Sequence, residues 1–268
     1  MNSRDMGGSG SLNMWCFFCH NNRMFVLGEK EQNNVFCCPD CGIIHCDPKV
    51  LWDYDNYYKD GNYSRKEQKK IGCIPYDERY EHDLKIAKLR LFGPHGFVAT
   101  TGDLLGKNIL DVGASNGSML RILTDKGARA VGVEPCREMR VFIYRKILTT
   151  TVYESLEMAA LHEGDFDVVT YFDSLEHMLD PVGMIMQTNA ITKIGGHLVI
   201  EQPDPQGSMA VKHGIEWKHI RPSQHVFLLS VDNIRSIFDR CGYETVNVKT
   251  FMGDRLNITG RKVKAVET

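Results

Sequence analysis

The stretch ILDVGASNGSML, residues 109–120, decides how this chain is read. An apolar strand, Ile109-Leu110-Asp111-Val112, ends in a turn of small residues that opens an amphipathic helix. Gly113 and Gly117 stand where a backbone must bend sharply or approach a ligand closely, with Ser115 between them. Strand, glycine turn and helix N-terminus in that order make a seat for a nucleotide-like ligand. The glycines do not follow the G-x-G-x-x-G order of a dinucleotide-binding turn, which points away from a nicotinamide cofactor.

Downstream, strands and helices alternate. The second strand, Ala130 to Val133, runs directly into Glu134, about twenty residues beyond the glycine turn, where an acid can accept two hydrogen bonds from a ribose diol. The competing role for Glu134 is to cap the helix that begins near Pro135. A helix over 137–146, a strand near 150–153 and a helix over 155–162 follow, and their order sets Glu154 and Ser155 toward an adenine. Strand four, Phe166 to Phe172, delivers Asp173, Glu176 and His177 together to the crevice beyond the strand ends; as residues of an ordinary helical turn, Glu176 and His177 would be surface groups. Asp180-Pro181 starts a helix ending before Gly195-Gly196. Strand five is His197 to Glu201, and the irregular segment to Val226, with Trp217, His219 and His225, is expected to cover the substrate side. Ser230 caps a helix burying Ile234, Ile237, Phe238 and Cys241, and a hairpin near 244–263 closes the chain. The alternation predicts an α/β fold, a mainly parallel sheet of about seven strands with helices on both faces.

Upstream, Tyr80, Leu84, Ala87 and Leu91 recur at helical spacing between Arg79 and Phe92, and Gly93-Pro94 stops that helix, which is expected to dock beside the ligand turn. Before it, Cys16-Phe-Phe-Cys19 and Cys38-Pro-Asp-Cys41 are two C-x-x-C knuckles separated by eighteen residues. That spacing predicts a small zinc ribbon in which four thiolates close a structural metal site, with metal supplying on the order of 10 kcal/mol of folding energy. Cys37 competes as a ligand, while His45 and Cys46 read as packing residues. The organisation is thus a tail over 1–13, a zinc ribbon over 14–47, a linker and docking helix over 48–106, and the α/β domain over 107–268. In the linker, Trp52, Tyr54, Tyr57, Tyr58 and Tyr63 lie among acids and precede Arg65, Lys66, Lys69 and Lys70. They suit a connector or lid better than a nucleic-acid face, because Asp53, Asp55 and Asp60 would repel phosphates.

Composition narrows the function classes. Of 268 residues, 32 are Lys or Arg and 34 are Asp or Glu, so no whole-molecule field recruits a polyanion. No apolar run reaches the roughly 18 residues of a membrane span, and nine cysteines in a chain without a signal peptide suit metal rather than disulfides. A cytoplasmic location is expected.

The acid, the glycine two residues on and the second glycine four further on resemble the cofactor loop of class I S-adenosylmethionine-dependent methyltransferases. The order of motifs extends the resemblance over roughly residues 14–263: paired cysteine knuckles, Tyr54 to Tyr63, Gly113 to Gly117, Glu176-His177, Gly195 to Pro203, and His225. The sequence is similar to class I methyltransferases with an N-terminal four-cysteine zinc module, a group that includes enzymes modifying deoxysugars and surface polysaccharides. The resemblance implies a Rossmann-like seven-stranded methyltransferase sheet, S-adenosylmethionine and zinc as cofactors, and a sugar or nucleotide sugar as a small-molecule acceptor. It implies that Asp111, Gly113, Ser115, Gly117, Glu134 and Asp173 serve the cofactor and that His177 is the base. Glu176 would orient His177 or hold a substrate hydroxyl, with His225 in reserve. Ser115 replaces the commonest middle glycine but suits the Gly-Ser-Asn-Asp-Gly loops of the zinc-bearing group. Members that C-methylate deoxysugars continue into a further domain not seen here, so O-methylation stands beside C-methylation. The alternatives are an RNA methyltransferase with the ribbon as an RNA clamp, and a non-catalytic scaffold.

Overall fold

A computed structural model describes residues 11–12, 15–46, 69, 75 and 77–266. The N-terminal region is an antiparallel sheet of β1 (Ser11–Leu12), β2 (Met24–Lys30), β3 (Asn33–Cys37) and β4 (Ile44–Cys46). Ser11 and Leu12, placed by the sequence in the tail, pair with Phe25 and Met24. A fifth strand comes from far downstream: Phe227 and Leu228 pair with His45 and Ile44. The small sheet also shares its core with the rest of the molecule. Met24, Phe36 and Ile43 belong to the same buried cluster as Val226, Leu229 and Ile234, so apolar packing against the α/β domain holds it.

The helix expected over 79–92 is α1 (Tyr80–Phe92), followed by the single turn α2 (Val98–Thr101). Next come β5 (Asn108–Val112), α3 (Ser118–Asp125), β6 (Arg129–Val133), α4 (Arg137–Lys146), β7 (Thr151–Tyr153), α5 (Leu156–His162) and β8 (Phe166–Phe172). The chain ends with α6 (Pro181–Ile191), β9 (Thr192–Pro203), α7 (Ser208–His213), β10 (Phe227–Leu228), α8 (Val231–Arg240), β11 (Tyr243–Phe251) and β12 (Arg255–Lys262). The large sheet has the order β11-β12-β9-β8-β5-β6-β7; β5 to β9 run parallel, and β12 and β11 are antiparallel additions. This is the seven-stranded α/β sheet expected from the alternation. Both faces are buried because neighbouring strand residues alternate between two cores. Ile109, Val168 and Val199 enter one cluster, while Leu110, Val169 and Leu198 enter the other. From β5 the chain builds outward to β7 and then returns to β8 on the other side of β5, and a ligand crevice belongs at that reversal.

Two local expectations change. Gly195 and Gly196 lie inside β9, which begins at Thr192, and its pairing with β8 shifts register between Phe166 and Val168. The segment to Val226 contains α7 and a 3-10 turn over Gly214–Glu216. Its Trp217 is buried with Val35, Ala210, Ile220 and Leu228 against the small sheet. Trp217 therefore braces the segment from behind and does not line the substrate side. The aromatic stretch from Trp52 to Tyr63, with Arg65, Lys66 and Lys70, lies outside the described residues.

Candidate active site

At the β5–β8 reversal a cavity of about 800 Å³ opens, bounded by the ends of β5, β6 and β8, by α1 and by the segment 219–225. Its first wall is the glycine turn. Gly113 has φ +83°, and an added Cβ would sit 2.5 Å from Ser174 Cβ. Gly117, at φ +75°, packs instead on Ile143, does not line the cavity, and serves the turn rather than the surface. Ser115 lines the cavity with φ +52°, a left-handed conformation that costs a non-glycine residue about 1–2 kcal/mol. That explains the glycine commonly found at this position.

Glu134 secures the turn. Its carboxylate accepts the Ser115 and Cys136 amide protons, both at 2.8 Å. The two roles weighed for it thus coincide in some measure: it steadies the start of α4, ties down the turn and borders the cavity. Burial pushes its carboxyl up to about 7 against the pull of the two amides. Asp111, below the turn, accepts from Thr170 Oγ1 at 2.7 Å, and burial raises it to about 6. Asn116 donates to Asp83 at 2.6 Å, and Asp83 pairs with Arg79 at 3.0 Å, which docks the start of α1 over the turn. Glu154 and Ser155 also border the cavity.

The middle of the site is a four-charge cluster. Asp173, at φ +51°, contacts Arg90 of α1 and Arg255 of β12, the latter at 2.5 Å. Glu201 at the end of β9 accepts from Arg90 Nε at 2.9 Å and Arg255 Nη2 at 3.2 Å. Burial opposes ionisation of Asp173, but the two guanidiniums outweigh it and hold the carboxyl well below its ordinary range. Arg90, Arg255 and Glu201 were not identified from sequence. Arg90 falls beside the apolar stripe of a helix, Arg255 is the first residue of a hairpin strand, and no motif marks either.

A further part of the cavity wall holds Glu176, His177 and His225, brought together from a 3-10 turn after β8 (Leu175–His177) and from the residue two before β10. One potential ligand atom from each lies within 4.8 Å of the others. His177 Nδ1 bonds the Gln224 carbonyl at 2.8 Å, and His225 Nδ1 bonds the His219 carbonyl at 2.7 Å. A carbonyl only accepts, so in both rings Nδ1 carries the proton and Nε2 the lone pair. A bond that orients His177 thus comes from Gln224; the sequence offered Glu176 as an orienter of His177 or as the holder of a substrate hydroxyl. Burial lowers both imidazoles below their usual range, His225 markedly. Glu176 is buried, its Oε2 has no hydrogen-bond partner, and burial plus the nearby Asp173 charge push it up to about 8. His219, kept near 4 mainly by burial, and Arg221 complete this wall.

Away from the cavity, Cys16, Cys19, Cys38 and Cys41 converge, with ligand atoms within 4.8 Å of one another. The closest sulfur pairs are 3.6 Å (Cys16–Cys41) and 3.4 Å (Cys19–Cys38), near the roughly 3.8 Å edge of a tetrahedron with metal–sulfur bonds of about 2.3 Å. The quartet therefore fits a zinc ion. Cys37 donates its thiol toward main-chain carbonyls, and His45 and Cys46 are buried in β4. Among the described residues, no helix is long and apolar enough to cross a membrane.

Residues 76–248 match the family model described as a methyltransferase domain. That span takes in α1 and begins well before the boundary at 107 expected from sequence. A ubiquinone biosynthesis O-methyltransferase of Thiobacillus denitrificans is 30% identical over 121 residues, covering 43% of this chain and 50% of the relative. One of the same name from Cronobacter sakazakii is 32% identical over 121 residues, 42% of this chain and 48% of the relative. The chain spans about half the length of these curated relatives. Among solved structures, the magnesium protoporphyrin IX methyltransferase of Synechocystis, with bound SAH, superposes with a TM-score of 0.57 at 16% identity, covering 81% of this chain and 100% of the other. At that identity the likeness speaks to fold. With the model covering more than half of its length, the chain belongs to the methyltransferase domain family.

Proposed function

We propose that the chain transfers a methyl group from S-adenosylmethionine to a hydroxyl of a small acceptor. The observation carrying this reading is the convergence of Glu176, His177 and His225, ligand atoms within 4.8 Å of one another, in the cavity that the glycine turn also lines, with His177 oriented through Nδ1. The names of the curated relatives support oxygen as the acceptor atom. On this reading Asp111, Gly113, Ser115 and Gly117 form the donor seat, and Glu134 has lone pairs left to accept from a ribose diol. S-adenosylmethionine supplies a sulfonium methyl that is already activated, so the chain has to align the acceptor and take its proton. His177 is the base. Glu176, as a neutral acid, donates a hydrogen bond to the acceptor, and His225 borders the same space as the second imidazole.

Asp173, anionic between two arginines, faces the donor and supports the crevice. The four thiolates of the 14–47 module hold zinc as a closed structural site with no open position for chemistry. The resemblance to sugar-modifying enzymes and the names of the relatives favour different acceptors, a sugar hydroxyl and an intermediate of ubiquinone biosynthesis. A screen with labelled donor against nucleotide sugars, glycans, polyhydroxylated phenols and RNA, followed by mass mapping, separates them. His177→Ala is expected to lower turnover by about 10²–10⁴-fold at unchanged donor affinity; unchanged turnover removes His177 from the mechanism.

A further inference from the structure

We infer that Cys46, a cysteine outside the metal quartet, is a positioning residue for both histidines of the acceptor side, acting with the rest of the four-cysteine module. This rests on the reading of His177 and His225 given above. Each imidazole takes its orientation from a main-chain carbonyl, His177 from Gln224 and His225 from His219. Both carbonyls belong to the segment 219–225, so whatever fixes that segment fixes both rings. The small sheet grips it at each end. Just ahead of the segment, Lys30 Nζ donates to the carbonyls of Ile215 (3.1 Å) and Trp217 (3.0 Å), and within it, next to Gln224, Glu31 accepts from the Ser223 amide (3.2 Å) and hydroxyl (2.8 Å). At the far end, Cys46 holds the two peptide groups that flank Val226. Its thiol donates to the His225 carbonyl at 3.0 Å, and its amide donates to the Val226 carbonyl at 3.1 Å.

The same clamp reaches Glu176, because the Val226 amide donates to the Glu176 carbonyl at 2.8 Å. Pairing of β4 with β10 continues the grip, as do the Phe17–Phe227 ring contact at 4.0 Å and the bond from Asn233 Nδ2 to the Cys41 carbonyl at 2.8 Å. The module therefore works as the holder of the acceptor wall, while the donor seat is built from the separate elements β5, β6 and α1.

The test uses the full, zinc-loaded chain with nitrogen-15-labelled histidine. Cys46→Val removes the thiol donor while keeping an apolar side chain of similar size, and Cys46→Ser keeps a donor. In Cys46→Val the ring-nitrogen resonances of His225 and His177 are expected to move and kcat to fall by about tenfold, with donor affinity in calorimetry unchanged. Cys46→Ser is expected to return both readouts to within about twofold of wild type. Unmoved histidine resonances in Cys46→Val, or a serine variant no better than the valine one, would overturn the inference. If Cys46→Val does not fold, Lys30→Met attacks the same segment from its other end, and an unmoved His177 resonance there is equally fatal. The resonances need no turnover. Moved resonances in a chain that transfers no methyl group would sink the acceptor-side reading and leave the positioning role standing.

Discussion

Replacing Glu176 by Gln isolates the most unusual protonation state in the site. In the unfolded chain this carboxyl titrates at its ordinary 4.5; in the fold, burial and the Asp173 charge hold its proton to about 8. Between those values the native state binds a proton that the unfolded state has released. The stability linked to this group is thus complete below pH 4.5 and is lost as pH rises toward 8. At about 1.36 kcal/mol per pH unit, the wild type gives up about 4 kcal/mol between pH 5 and pH 8 through this carboxyl. Glutamine, which does not titrate, gives up none. That figure is a ceiling, because water in the cavity solvates some of the charge. The variant should match wild type near pH 5 and exceed it increasingly toward pH 8, by as much as roughly 8–16 °C in Tm for a chain of this size. Thermal unfolding of both proteins at half-unit steps from pH 5 to 8.5 measures the gap, and kcat over the same range should lose its alkaline limb in the variant. A gap that stays flat with pH would mean that Glu176 ionises normally, and its role as a hydrogen-bond donor would go with it.

Other perturbations separate the two halves of the site. Gly113→Ala puts a Cβ 2.5 Å from Ser174 at φ +83°; it should weaken donor binding by at least about tenfold in calorimetry, since the turn must open by the strain of a left-handed alanine plus a clash. Arg90→Met leaves Asp173 and Glu201 sharing Arg255 alone. It should cost about 3–5 kcal/mol in urea unfolding, and adding Asp173→Asn should restore some of that; a loss under about 1 kcal/mol would show a cluster already screened by water. Glu134→Gln trades a charged acceptor of two amides for a neutral one and should reduce donor affinity by about tenfold or more, read by the same calorimetry. Metal analysis should return one zinc per chain, and Cys16→Ser should lower that ratio and the Tm together.

The donor half was legible because it is local. One strand, one turn and the next strand carry Asp111, Gly113, Ser115 and Glu134, and a parallel sheet brings them together by its own regularity. The cysteine quartet was legible for the same reason: two knuckles fix the convergence of four sulfurs whatever lies between them. The acceptor half was only partly so. Glu176 and His177 follow a strand end and could be assigned to the crevice, whereas His225 could be assigned only through the resemblance. Arg90, Glu201 and Arg255 lie 111 and 54 residues apart along the chain as they meet. Their meeting depends on α1 docking against the sheet and on an antiparallel β12 added beside β9, which no periodicity reports. Trp217 shows the converse error. An aromatic in an irregular stretch looks like a substrate contact, but here it packs that stretch onto the small sheet.

The sharpest functional signal is a contrast between two acids three positions apart. Asp173 and Glu176 leave β8 on the same turn and are nearly equal as acids in an unfolded chain, yet the fold drives them in opposite directions. Asp173 meets two guanidiniums and stays charged; Glu176 is buried with an unpartnered oxygen in the field of that charge and stays neutral. Environments that drive a pair of titratable groups apart in this way assign their roles. Under the proposed methyl transfer, the anion would stand on the side where a sulfonium donor brings positive charge, and the neutral acid where an acceptor hydroxyl needs a hydrogen-bond donor without a competing negative charge. In that transfer His177, kept neutral by burial and oriented through Nδ1, would present Nε2 to the acceptor's proton. On that reading, as the proton moves to the imidazole the nearby Asp173 charge favours the cation it creates, so the same carboxylate would assist the base.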